Sequence, residues 1–275
     1  MKSRLAAMFA RCRAEGRTAI GPFVTGGYPR MEITERLITA MADGGADFME
    51  IGVPFSDPLA DGTTVQRTSY QALANGTRLK DCIALARRSR ERDGVTIPLL
   101  LMGYYNPILQ YGVERFVADS ASAGVDGFIV PDLPSEESDD LLAACQTHGR
   151  DLIFMLAPTS TERRIADVVQ RASGFIYCVS LLGVTGARDH LAAGLGDYLE
   201  RIRRHTDVPL TVGFGISTPE HVAEVGRHAE GAIVASALIN YLDTLPEEDQ
   251  PAAATRFVRY LRGDGELPAK VPGNQ

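Results

Sequence analysis

The sequence predicts an α/β fold, a single (β/α)8 barrel of the TIM type with an extra N-terminal helix, as one domain over residues 1–275. Three observations predict it. Short apolar runs alternate with amphipathic segments from end to end, the pattern of βα units feeding a parallel sheet. The runs are continuous in Val, Ile, Leu and Phe, as strands covered on both faces require. Eight such units fit into 275 residues with no composition break that would mark a linker. A doubly wound open sheet is the alternative. It usually carries a G-x-G-x-x-G turn after its first strand, and Thr25-Gly26-Gly27 is not one.

The elements follow in order. The first residues, up to Arg13, read as a basic, partly apolar helix; Arg11 and Arg13 break the apolar run and no small-residue cleavage site follows, so it is not a signal peptide. Strands are expected at 19–25, 48–53, 98–102, 127–130, 152–156, 175–180, 209–213 and 231–235. Helices are expected at 31–43, closed by Gly44-Gly45, at 63–74, ending at Asn75-Gly76, and at 79–92, 114–123, 135–147, 161–171, 197–205 and 252–262. The helix at 135 has an acidic first turn, which suits its dipole. Thr218-Pro219-Glu220 opens another helix with a cap and a proline at its first position. The Gly- and Pro-rich tail at 263–275 is expected to fray.

Bulk properties exclude several classes. A net charge of −7 and a pI near 5.3 argue against a nucleic-acid surface. No apolar run reaches the roughly 18 residues of a membrane span. Cys12, Cys82, Cys145 and Cys178 are scattered, with no C-x-x-C pair, and read as reduced cysteines of a cytoplasmic protein. The five histidines avoid strand ends and read as surface residues, so no metal site is expected.

In such barrels chemistry lies at the C-terminal strand ends. Glu50 stands between Met49 and Ile51, inside an apolar run. A carboxylate there costs several kcal/mol of desolvation unless it is paired or protonated. It is therefore either a proton carrier with a raised pKa or half of a structural ion pair. Asp57 and Asp61 follow on a loop punctuated by Pro54, Pro58 and Gly62, where Asp also serves as a turn former. Asp61, as a loop residue, is expected to be solvated and ionised, so that it and Glu50 divide acid and base roles. Asp132 follows strand 4, and Thr185-Gly186 the sixth strand. Gly213 and Gly215 end strand 7, and Ala235-Ser236 end strand 8. Barrels bind phosphate at these last two loops, although Gly-x-Gly is equally a tight turn.

The segment Phe48-Met49-Glu50-Ile51-Gly52-Val53-Pro54-Phe55-Ser56-Asp57-Pro58-Leu59-Ala60-Asp61-Gly62 resembles the signature of the tryptophan synthase alpha subunit family. So do Leu101-Met102-Gly103-Tyr104-Tyr105-Asn106-Pro107, Val130-Pro131-Asp132-Leu133-Pro134, Gly183-Val184-Thr185-Gly186-Ala187 and Gly213-Phe214-Gly215-Ile216-Ser217. The likeness runs in order up to about Tyr241. It implies retro-aldol cleavage of indole-3-glycerol phosphate to indole and glyceraldehyde 3-phosphate. It implies Glu50 as the proton carrier and Asp61 as acceptor from the ring N–H. Phosphate would lie at Gly186, Gly213, Gly215, Ala235 and Ser236. The indole slot would be Phe23, Leu101, Ile129, Met155, Tyr177 and Phe214, each of which reads as well as barrel core. The segment 181–196 would be a lid bringing Thr185 to Asp61. The resemblance also implies an alpha2beta2 heterotetramer with a beta subunit that receives indole and holds pyridoxal phosphate, with no cofactor in this chain. Pro54, Asp57, Asn106 and Pro107 would face that partner. Many members carry Gly-Ser where this chain has Ala235-Ser236, which suits Ala only if the position needs no positive φ. Two other readings are a non-catalytic activating barrel and a different sugar-phosphate enzyme. The first has no use for Glu50, and the second calls for polar or His-bearing strand ends.

Overall fold

The computed structural model describes residues 3–179, 194–213 and 215–267. Eight parallel strands close in chain order into one barrel. They are β1 (Ala19–Thr25), β2 (Met49–Gly52), β3 (Leu99–Met102), β4 (Gly127–Ile129), β5 (Asp151–Leu156), β6 (Ile176–Val179), β7 (Leu210–Gly213) and β8 (Gly231–Val234), and β8 pairs back onto β1. The helices are α1 (Arg4–Ala14), α2 (Met31–Asp43), α3 (Thr63–Ala74), α4 (Leu79–Glu91), α5 (Tyr105–Tyr111), α6 (Val113–Ser122), α7 (Asp139–His148), α8 (Glu162–Arg171), α9 (Leu195–Arg203), α10 (Pro219–Val225), α11 (Ser236–Leu242) and α12 (Gln250–Leu261). The TIM barrel and its N-terminal helix are as the sequence predicts.

Two helices were not anticipated, and one begins late. In α5 a proline sits at the third position, where helix N–H groups lack intrahelical partners and Pro costs little. The apolar run from β8 continues through Ala235, and Ser236 is the one polar residue that marks the start of α11. The acidic start at Ser135 makes a separate 3-10 turn, Ser135–Glu137, before α7.

Two packing layers separate by strand parity. Phe48, Leu100, Ile129, Ile153, Phe175 and Ile233 fill the barrel interior. Their chain neighbours Met49, Leu101, Phe128 and Leu152 pack outward against the helices. Helix α1 closes the end of the barrel where the strands begin. Its Leu5, Met8, Phe9 and Cys12 recur at helical spacing and are at most 4% exposed. Phe9 meets Phe175 edge-on at 5.9 Å between ring centroids. Burying Leu5, Met8 and Phe9 stabilises this closure by about 5–9 kcal/mol at most.

The same end carries a repeated polar device. A residue one to three positions before each even strand accepts a backbone N–H from the odd strand before it. Asp47 takes the N–H of Ile20 at 2.9 Å, Asp126 that of Leu99 at 2.9 Å, Ser173 that of Leu152 at 3.1 Å, and Glu230 that of Leu210 at 2.7 Å. The three charged members are also paired with arginines. Asp47 meets Arg17 at 2.8 Å and also Arg262; Asp126 meets Arg90 at 2.6 Å and Arg4 at 2.9 Å; Glu230 meets Arg203 at 2.6 Å.

Candidate active site

Glu50 points into the barrel. Its Cα partners are Phe23 on β1 and Leu100 on β3, both inward. It is 1% exposed, and neither carboxyl oxygen has a hydrogen-bond partner among the described residues. Burial alone pushes its pKa from 4.5 up to about 8. The group therefore holds its proton at neutral pH.

Above it the strand ends are shaped by glycine and aromatic pairs. Gly52, one pleat beyond Glu50, lets the Phe23 ring lie against the backbone; a Cβ there would come within 2.4 Å of the ring. Gly213 does the same for Tyr177, whose hydroxyl would be 2.1 Å from an added Cβ. Burial first, and then the charges of Glu50 and Asp61, hold the Tyr177 pKa well above its ordinary value. A pocket opens at the ends of β1, β2 and β3, lined by Phe23, Thr25, Gly52, Asp61, Met102 and Tyr104 among others.

Asp61 is not the solvated residue expected. It is half-buried, and burial raises its pKa from 3.8 to about 6 against the lowering effect of a Tyr104 hydrogen bond. It is still mostly ionised above neutrality. The predicted order survives, with Glu50 protonated and Asp61 charged, but both carboxyls are desolvated.

Of the expected slot residues, Phe23, Ile129, Met155 and Tyr177 face the interior. Leu101 does not. It belongs to the outward layer with Ile51 and Phe128, its partners in register, and Leu100 and Met102 hold the inward positions of β3. A continuous apolar run carries no alternation, so parity was not readable there. Phe214 lies outside the described residues, as do Thr185, Gly186 and most of the predicted lid.

At the ends of β7 and β8, Gly215 has φ +76°, a conformation that favours glycine. Ala235 has φ −125° and ψ −81°, so the position needs no positive φ, although the pair falls outside the broad α and β regions. Ser236 begins α11. Gly213 owes its lack of a side chain to Tyr177.

Asp132 accepts the N–H of Tyr105 at 2.9 Å and so fixes the start of α5. His221 is buried, against expectation; its Nδ1 accepts the N–H of Ser217 at 3.3 Å and braces the loop after β7. Among the described residues no group of three His, Cys, Asp or Glu side chains is placed to hold a metal. Of the expected partner-facing residues, Asp57 and Asn106 are exposed and Pro107 is half-buried. Pro54 is buried within the chain and cannot offer a surface. Leu59, 90% exposed on the loop after β2, and Leu109, 51% exposed on α5, are apolar groups that the sequence reading missed beside them. No helix among the described residues is long and apolar enough to cross a membrane.

The family model described as tryptophan synthase alpha chain matches residues 9–262. A tryptophan synthase alpha chain from Roseiflexus castenholzii is 58% identical over 261 residues, covering 95% of this chain and 100% of the relative. One from Acidiphilium cryptum is 47% identical over 273 residues, covering 99% of each. Among solved structures, the Legionella pneumophila tryptophan synthase subunit alpha superposes with a TM-score of 0.88 at 34% identity, over 96% of this chain and 98% of that one. A chain of M. tuberculosis tryptophan synthase in its aminoacrylate-bound form gives a TM-score of 0.84 at 33% identity, over 94% and 100%.

Proposed function

The chain belongs to the tryptophan synthase alpha chain family, and from that premise we propose how its own residues carry the family's reaction. The enzyme is a lyase of tryptophan biosynthesis that cleaves indole-3-glycerol phosphate to indole. The carbon–carbon bond breaks only if the indole ring leaves neutral. Ring carbon 3 must gain a proton and the adjacent glycerol hydroxyl must lose one. Protonated Glu50 gives its proton to carbon 3; the Glu50 carboxylate then takes the hydroxyl proton as the bond breaks and the aldehyde forms. The carboxyl ends as it began. Asp61, ionised, accepts the ring N–H, which becomes more acidic as the ring gains positive character.

The single observation carrying this reading is the inward Glu50, without a hydrogen-bond partner among the described residues and held protonated to about pH 8. A general acid works best when its pKa lies near the working pH. The aromatic walls Phe23 and Tyr177, with Ile129, Met155 and Met102, support a flat apolar slot for the indole. Phosphate is assigned to the backbone around Gly215 and Ala235 and to the Ser236 hydroxyl, together with Gly186. Thr185 is assigned to a lid over the site. The exposed Asp57, Leu59, Asn106 and Leu109 support docking of a beta subunit in an alpha2beta2 assembly. Pyridoxal phosphate is assigned to that partner and no cofactor to this chain. The working compartment is the cytoplasm, and the barrel acts as a single domain.

The test is indole release from indole-3-glycerol phosphate by the purified chain. Glu50→Gln keeps shape and removes the proton; it should lower turnover by about 10²–10⁴-fold with circular dichroism unchanged. Full turnover in that variant would overturn the assignment.

A further inference from the structure

We propose that Tyr104 is a positioning residue for Asp61, its hydroxyl holding the carboxylate and the backbone beside it in one geometry at the mouth of the pocket. The proposal deepens, and rests on, the reading of Asp61 as acceptor of the ring N–H.

The hydrogen-bond pattern sets the direction. The Ala60 N–H donates to the Tyr104 Oη at 2.9 Å, and that hydroxyl lies 3.1 Å from Asp61 Oδ2. A tyrosine hydroxyl has one proton. With its oxygen accepting from Ala60, that proton is directed to Asp61. The donor favours the charged carboxylate, opposing the burial that raises Asp61.

The tyrosine is itself rigid. Its side chain is buried, and its ring stacks on Phe55 at 5.0 Å between centroids. Phe55 is clamped in turn by Ser69 on α3, which accepts the Phe55 N–H at 2.8 Å and donates to its carbonyl at 3.0 Å. The loop between β2 and α3 is thus bracketed at Phe55 and again at Ala60–Asp61 by one side chain from the loop after β3. Gln66 adds a third tie, donating to the Asp61 carbonyl at 2.9 Å. The backbone of Asp61 is therefore fixed with or without Tyr104, and what the hydroxyl adds falls on the carboxylate.

Among the described residues, the titratable groups acting on this pair from packed elements are Glu50 on β2, Asp132 after β4 and Tyr177 on β6. Among the described residues none of these is cationic, so none replaces the lost donor. Glu50 becomes negative only near pH 8 and touches the alkaline limb alone.

The experiment is the pH profile of kcat/KM for indole release by Tyr104→Phe, Asp61→Asn and the double variant. Tyr104→Phe removes one oxygen and leaves the stacked ring, and its melting temperature is measured alongside. The expected result is an acid limb moved up by about one pH unit. Activity then falls most near pH 6 and recovers toward pH 8, and Tyr104→Phe has no effect in the Asp61→Asn background. A loss independent of pH, or an equal fold-loss with and without the Asp61 carboxylate, would reduce Tyr104 to packing and overturn the proposal. If Asp61→Asn retains full rate, the role of Asp61 fails first and this proposal fails with it.

Discussion

Asp47 and Glu50 lie three residues apart at and inside β2, each 1% exposed, and their surroundings are opposite. Asp47 accepts the Ile20 N–H and meets Arg17, Arg262 and Arg11. Glu50 meets Phe23, Leu100 and no hydrogen-bond donor among the described residues. One end of the barrel satisfies every acid that precedes an even strand. The other leaves an acid bare. Burial therefore does not mark function by itself; burial without a partner does, because only then is the charged form unfavourable enough to keep a proton near neutral pH. This division matches the general one in such barrels, stability at the strand starts and chemistry at the strand ends.

The contrast can be broken first at Asp47. Asp47→Ala leaves the half-buried Arg17 and Arg262 and the Ile20 N–H without their acceptor. Losing charge-assisted hydrogen bonds of this kind costs about 1.5–3 kcal/mol each. Denaturant unfolding should show that loss, with indole release per folded molecule kept. A loss of turnover without a loss of stability would mean that the two ends are not separable.

Next comes Glu50 with the opposite sign. Its folded pKa lies above its unfolded value, so its contribution to stability is complete below about pH 4.5 and is lost as pH rises toward 8. Stability should fall over that window by up to about 1.4 kcal/mol per pH unit. Glu50→Gln, which stays neutral, should match the natural chain near pH 5 and exceed it by a few kcal/mol at pH 8. Equal slopes in urea titrations of the two chains would refute this.

The smallest effect belongs to the aromatic floor. Gly213→Ala drives a methyl group against Tyr177. Overpacking of this kind costs about 1–3 kcal/mol. The variant should raise KM more than it lowers stability, read from steady-state kinetics and thermal melts together.

Much of this was legible in the chain. Eight apolar runs gave the barrel because strands buried on both faces are continuous in sequence. Glu50 stood out because a carboxylate interrupts one of those runs. What was hidden depends on distance along the chain or on parity. Tyr104 is 43 positions from Asp61, and nothing near Asp61 announces the hydroxyl that reaches it. Leu101 and Leu100 are chemically alike, and only the register with Glu50 tells which faces inward. His221 read as a surface residue until its bond to Ser217 placed it under the loop after β7. Gly213 read as an anion cradle, whereas packing against Tyr177 explains it first.

The central claim is that Glu50 carries a proton at neutral pH because no described residue pairs with it. The direct measurement is a carbon-13 NMR titration of the Glu50 carboxyl in the glutamate-labelled chain, with Glu50→Gln supplying the assignment. The account predicts a midpoint near 8. A midpoint near the ordinary 4.5 would contradict it, since Glu50 would then be a carboxylate at neutral pH with no proton to give.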